Sequence, residues 1–231
     1  MDLVAFISAK WLPLLLTAVI AYLLGSISPA ILVGRCFAKT DIREMGSGNA
    51  GATNVLRSLG KVPAIITTAG DLAKSVVAVL LSRLFMTNLG GDFNVDQSVR
   101  IGMYIAGVVC ILGHLFPLYY GFRGGKGVMA TLGMLLVVDW RVALAALGGF
   151  ILVVVLTRYV SLGSMIAGVV MTAATFVFCY AVDGLALNLS LLCSVFPAII
   201  TVVVTIKHSA NIRRLINGTE SKLSFCSKKE V

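Results

Sequence analysis

The chain is short of charge. Only 13% of its 231 residues are Asp, Glu, Lys or Arg, against roughly 25% in an ordinary soluble domain. With 58% hydrophobic residues and a mean hydropathy of +0.98, too few polar side chains remain to cover a soluble surface. That shortage excludes a large soluble core and points to a membrane protein with several crossings. Histidine is scarcer still, with His114 and His208 the only two. The five cysteines, Cys36, Cys110, Cys179, Cys193 and Cys226, are scattered and lie mostly in apolar runs. No CxxC or Cys/His metal spacing occurs, so they read as small buried hydrophobes and no metal site is expected. No A-x-A-like cleavage site follows residues 1–10, so the first apolar run reads as a span and not as a removed signal peptide.

What is abundant is apolar sequence in blocks. Runs cover residues 11–33, 62–86, 101–120, 128–156, 162–182 and 189–206. As one helix, 128–156 would be about 43 Å long, against a hydrocarbon core of about 30 Å. The polar residues Asp139, Trp140 and Arg141 in its middle divide it into two short spans. The expectation is an all-α integral membrane protein, a bundle of about seven transmembrane helices. Five or six crossings remain open if 128–156 is tilted or re-entrant.

Charge orients that bundle. Segments 35–61, 121–126, 157–161 and 207–231 hold 14 of the 19 Lys and Arg residues. The other side holds Asp92, Asp96, Asp139 and Asp183, with Lys10, Arg83, Arg100 and Arg141 at or near span ends. The positive-inside rule puts the basic segments in the cytoplasm, the N-terminus outside and the C-terminus inside.

The basic segments are more than linkers. Residues 46–57 read GSGNAGATNVLR. Gly46, Gly48 and Gly51 free the backbone to aim N–H groups at a ligand. Ser47, Asn49, Thr53 and Asn54 add short polar groups, and Arg57 adds a planar cation suited to phosphate. A flexible Gly/Ser loop is the plainer alternative, but the alternation of glycine with hydrogen-bonding residues favours an anion site. Residues 113–133 read GHLFPLYYGFRGGKGVMATLG. Here Arg123, Gly124, Gly125, Lys126 and Gly127 stand before an apolar helix, where free N–H groups and the helix dipole favour phosphate. A positive-inside stop signal would supply charge too, though it would not require three glycines. A P-loop is excluded, because Tyr120 and Gly127 occupy positions that need glycine and Ser/Thr.

Two further segments are weaker signals. Ser161, in the SLGS stretch 161–164, fits a helix N-cap. In HSANIRRLINGTESK, residues 208–222, His208 and Asn211 lie on one helical face that Arg214 continues, and Glu220 reads as the acid of a structural ion pair. Within the second apolar run, Asp71 and Lys74 are three residues apart, and charges there are costly unless paired or functional. Mutual pairing is the favoured reading, and positioning of the adjacent phosphate site is the alternative.

GSGNAGATN, GHLFPLYYGFRGGKGVMATLG and HSANIRRLINGTESK resemble the three signature motifs of the bacterial acyl-phosphate-dependent glycerol-3-phosphate acyltransferases, the PlsY family. Residues 161–164 resemble a further Ser-Leu-x-Ser element, and the resemblance covers essentially the whole chain. One departure is visible: Ala50 stands where the first motif usually has proline, which should loosen the turn slightly.

The resemblance implies a single membrane domain, 1–231, whose motif segments are 35–61, 121–127, 157–164 and 207–231. It implies transfer of an acyl group from acyl phosphate to the 1-hydroxyl of glycerol 3-phosphate, giving lysophosphatidate and phosphate. Ser47 and residues 46–54 would hold the acyl-phosphate head. Arg57 and Lys126 would neutralise charge on phosphate and on the reacting oxygen, with Arg123 close by. His208 and Asn211 would orient the glycerol hydroxyl, and Ser161 would contribute to phosphate binding. The hydroxyl proton would go to the leaving phosphate, with His208 as base the alternative. No serine or cysteine nucleophile with a partnered base is evident, so direct transfer is expected. The His-x4-Asp signature of thioester-using acyltransferases is absent, since Tyr119 follows His114 at that spacing and Arg213 follows His208. No cofactor and no nucleic-acid partner is expected. Membrane lipid, and a functional link to an enzyme that makes acyl phosphate, are expected. The expected location is the bacterial inner membrane with the site facing the cytoplasm. The rival is a transporter of a phosphorylated solute, which should carry polar groups near mid-membrane on several spans.

Overall fold

Proline cuts the first apolar run in two. Helix α1 spans Leu3–Ser26 and α2 spans Pro29–Ala38 in the structure, a computed structural model that describes residues 3–89 and 95–223. Asp92, Cys226 and the part of segment 207–231 beyond residue 223 lie outside the described residues. Pro29 takes the first helical position, and its ring keeps Ser28 out of the helical region, at φ −108° and ψ 96°. A second irregularity falls at Lys10, at φ −119° and ψ 19°, three residues before Pro13.

The remaining helices are α3 (Ala52–Leu59), α4 (Lys61–Asn88), α5 (Val95–Leu115), α6 (Val128–Val138), α7 (Trp140–Thr157), α8 (Val160–Val177), α9 (Leu187–Lys207) and α10 (Ser209–Ile216). A π-helical turn, Phe178–Val182, extends α8. No strand occurs among the described residues, and the chain is an all-α integral membrane protein. The division of 128–156 falls at Asp139, which is extended at φ −158° and ψ 101°. Among the described residues, six helical stretches are long and apolar enough to cross a membrane, the first being α1 and α2 together. The expected fourth span, α6, has 11 residues, about 16 Å and half of a bilayer core.

The chain packs as two compact units, Met1–Trp140 and Arg141–Val231. In the first, α4 touches α1, α2, α3, α5 and α6. Small residues allow the close approaches. A Cβ on Gly113 would lie 2.5 Å from the Tyr22 carbonyl oxygen of α1, and one on Gly133 would lie 2.6 Å from the Leu72 carbonyl oxygen of α4. Lys10 is buried, and its ammonium donates to the Met86 and Leu89 carbonyls at 3.4 and 3.2 Å, where α4 ends. A cation at a helix C-terminus is favourably placed.

In the second unit, α8 packs on α9. Thr201 Oγ1 of α9 donates to the Gly168 carbonyl of α8 at 2.8 Å. At one end, Arg141 grips Asp183 through two hydrogen bonds of 2.9 and 3.1 Å. At the other, the Leu223 N–H donates to the Arg158 carbonyl at 2.8 Å. The residues expected on opposite faces of the membrane thus sort to opposite ends of this unit.

Candidate active site

The first motif is a loop wound around one asparagine. Asn54 Oδ1 accepts from the Ser47 N–H at 2.8 Å, and Nδ2 donates to the Ile42 and Met45 carbonyls at 3.1 and 3.0 Å. Gly46 sits at φ +55° where a Cβ would strike the Asn54 side chain, so only glycine fits. Gly51 caps α3, and Thr53 and Asn54 are already helical. Ser47, Gly48 and Arg57 are exposed, while Asn49 and Thr53 are half-buried. The Asn54 side chain, expected among the phosphate-binding groups, is 1% exposed, and both its polar atoms bond within the loop.

The second motif lies against α5. The Gly124 N–H donates to the Leu115 carbonyl and the Gly125 N–H to the His114 carbonyl, both at 3.2 Å. A Cβ on Gly124 would collide with the His114 carbonyl, and one on Gly125 with the His114 ring and the Ala50 carbonyl. The sequence pattern suggests that the two glycines let phosphate approach. The structure gives another reason for both: the strip must run flush against the end of α5, and its amides satisfy carbonyls left open there. Gly127 precedes α6 at φ +85°, a left-handed conformation suited to glycine. Lys126 is half-buried between them and Arg123 is exposed. Ala50, at the position where proline is usual, is fully buried among Ile31, Ile42 and Val55.

Arg43, which no sequence pattern marks, joins the two motifs. Its Nη1 donates to the Tyr120 and Arg123 carbonyls at 2.8 and 3.0 Å, while Asp41 holds the rest of the guanidinium. The hydrogen bond from Arg43 holds the Asp41 carboxyl below the usual carboxylate range. A guanidinium suits this bridge because its rigid fork serves a carboxylate and two carbonyls together.

Beneath the second motif lies a buried charged cluster. Lys74 Nζ is 3.0 Å from Asp71 Oδ1, so the two do pair. His114 joins them, with Nδ1 2.8 Å from Lys74 Nζ and 3.2 Å from Asp71 Oδ1. Nothing in the sequence signals this third member, because it lies 40 residues from Lys74 on another helix.

In the second unit, Glu220 gathers three groups. Oε1 accepts from Ser161 Oγ at 2.7 Å and Asn211 Nδ2 at 2.6 Å, and Oε2 accepts from Arg214 Nε at 2.7 Å. Burial alone would push the Glu220 pKa up. The hydrogen bonds from Asn211, Ser161 and Arg214, with the Arg214 charge, outweigh it and hold the carboxyl below its ordinary range. Ser161 is therefore not an N-cap, and that expectation is corrected. Tyr159 holds the cap position, and the Ser161 hydroxyl reaches across to Glu220. His208 is 2% exposed, and its Nδ1 lies 2.8 Å from the Val204 carbonyl oxygen. A carbonyl can only accept, so Nδ1 carries a proton and donates it to Val204.

In each unit, helices built for a membrane bring small polar residues and cations together at one end. That defines an integral, multi-pass membrane protein with polar sites at helix ends. The chain belongs to the glycerol-3-phosphate acyltransferase family, whose model matches residues 15–218. Glycerol-3-phosphate acyltransferase of Clostridioides difficile (strain 630) is 43% identical over 94% of this chain and 97% of its own length. That of Thermoanaerobacter pseudethanolicus is 40% identical over 90% and 94%. Among solved structures, PlsY (YgiH), an integral membrane glycerol 3-phosphate acyltransferase, matches in its glycerol 3-phosphate form with a TM-score of 0.74. Identity there is 29%, covering 91% of this chain and 96% of that one. Its lysophosphatidic acid form matches with a TM-score of 0.71. Membership of this family makes the chain an acyltransferase and sets the transporter alternative aside.

Proposed function

We propose that the chain moves an acyl group from acyl phosphate to the 1-hydroxyl of sn-glycerol 3-phosphate, as the first acylation of bacterial phospholipid synthesis. The observation that carries this reading is the meeting, within the first unit, of two glycine-rich basic motifs. Arg43 ties them together and Lys126 stands where they join. A reaction with two phosphorylated substrates needs such a concentration of cationic and N–H groups. The solved relatives named for glycerol 3-phosphate and lysophosphatidic acid forms support the acceptor and product.

In this mechanism the glycerol hydroxyl oxygen attacks the acyl carbonyl carbon. The bond from that carbon to the phosphate oxygen breaks, and the leaving phosphate takes the hydroxyl proton. Lys126 and Arg57 stabilise negative charge on the phosphates and on the carbonyl oxygen as the tetrahedral state forms. Ser47 and the outer edge of the first motif, Gly46, Gly48, Asn49, Gly51 and Thr53, take the acyl-phosphate head. Arg123 and Gly127 contribute on the second motif. His208 and Asn211 orient the glycerol acceptor, Asn211 through an amide fixed by Glu220. The enzyme acts as a single domain at the cytoplasmic face of the bacterial inner membrane, with the N-terminus outside and an acyl-phosphate-producing enzyme as its functional partner.

Lys126→Met tests this reading in purified protein supplied with acyl phosphate and glycerol 3-phosphate. Loss of one charged donor from such a site costs about 3 kcal/mol, so turnover should fall roughly 100-fold. Unchanged lysophosphatidate formation would overturn the assignment.

A further inference from the structure

The Asp71, Lys74 and His114 cluster is more elaborate than packing requires. The side chains are 3%, 5% and 4% exposed and lie on helices of membrane-spanning length. Well-packed apolar residues would fill the same volume without desolvating charge. What the cluster does have is contacts in two directions. On one side Lys74 Nζ donates to the Gly25 and Ile27 carbonyls at 3.1 and 2.8 Å, where the Pro29 break ends α1. On the other, the His114 ring lies where a Cβ of Gly125 would fall, and its carbonyl accepts the Gly125 N–H at 3.2 Å. The Ala50 carbonyl of the first motif also closes on that Cβ position of Gly125. Lys126 is the next residue.

We infer that Asp71, Lys74 and His114 are positioning residues for Lys126. Asp71 and Lys74 fix the tilt and depth of the His114 ring. The ring and its carbonyl set the height of residues 124–126 against Ala50. Lys74 also locks the α1 end, so the support does not slide along the bilayer normal. None of the three touches substrate. The inference rests on the reading of Lys126 as a phosphate-binding residue, and its test is chosen to fail separately from that reading.

The test uses the full-length protein with His114→Ala, His114→Asn and Gly125→Ala. The asparagine amide can keep the contact with Lys74 and Asp71, whereas alanine cannot. Two quantities are read beside the thermal unfolding midpoint: kcat/KM for acyl transfer, and the rate at which a water-soluble amine-reactive ester modifies Lys126, followed by peptide mass spectrometry. The modification rate needs no turnover, so it reports on position even if Lys126→Met proves active. His114→Ala should change that rate at least threefold and lower kcat/KM at least tenfold, and His114→Asn should recover part of both. A folded His114→Ala protein with both quantities within twofold of the parent would overturn the inference. If His114→Ala does not fold, Gly125→Ala presses on the same ring from the other side and should give the same two changes. Parent-like values there would overturn it equally.

Discussion

Asp71, in the first unit, is held by two ionisable side chains on membrane-spanning helices. Glu220, in the second, is held by a hydroxyl, an amide and one guanidinium at a helix end. Both carboxylates are almost fully enclosed, at 3% and 7% side-chain exposure. They differ in what is left when one partner goes. Around Asp71 each group neutralises another and water is far, so removing one strands a charge in a low-dielectric setting. Around Glu220 two of the three partners are neutral, and the cation, Arg214, is 42% exposed and can turn to water. The first arrangement resists disturbance and fixes a backbone strip. The second can yield by small steps, and it holds in place Asn211, a residue assigned to the acceptor hydroxyl.

The largest effect should come from breaking the first arrangement. Lys74→Met leaves Asp71 with no cation on its own helix and should destabilise the first unit by about 3–5 kcal/mol. Asp71→Leu combined with Lys74→Met should recover most of that loss. Thermal unfolding in lipid or detergent measures both. A single variant as stable as the parent would erase the contrast.

Glu220→Gln probes the other side. A neutral amide still accepts from Asn211 or Ser161 but leaves Arg214 without its carboxylate, a loss of about 1.5–3 kcal/mol for a charged hydrogen bond. Turnover should fall about tenfold. The pH dependence follows from the depressed pKa of Glu220. On acidification the unfolded chain takes up the proton first. Stability from this group is complete above the ordinary glutamate range, near about 4.3, and is lost as pH falls through the lower folded value. Comparing unfolding midpoints from about pH 7 to about pH 3 should show that this acid-sensitive component disappears in Glu220→Gln. An identical acid slope in both proteins would contradict the role given to Glu220.

The smallest effect is expected from Arg141→Lys. The Arg141–Asp183 pair is well formed, but its side chains are 28% and 19% exposed. It should contribute about 0.2–1 kcal/mol, with acyl transfer unchanged. A loss comparable to that of Lys74→Met would mean that exposure does not govern these pairs.

Much of this was legible in sequence, and the exceptions have physical causes. Apolar runs mark the spans because a bilayer demands length and hydropathy together. The Asp139 break was readable because a 29-residue helix overshoots the membrane. The Asp71–Lys74 pair was readable because residues three apart share a helix face. His114 was not, because its partner lies 40 residues away and only packing brings them together. Ser161 misled for a related reason. The capping rule fits a serine near a helix start, but α8 begins one residue earlier, and the hydroxyl finds Glu220 59 residues on. Gly124 and Gly125 show a deeper ambiguity, since glycine next to a cation serves an anion loop and a tight backbone crossing equally well. The break at Pro29 lay inside an unbroken apolar run, where hydropathy does not register backbone geometry.

Use of acyl phosphate as the donor is open to a single assay. Purified protein is given glycerol 3-phosphate with acyl phosphate, acyl-CoA or an acyl-carrier-protein thioester, and lysophosphatidate and inorganic phosphate are followed together. Turnover is expected with acyl phosphate alone, releasing one phosphate for each lysophosphatidate formed. Turnover with a thioester and none with acyl phosphate would contradict it.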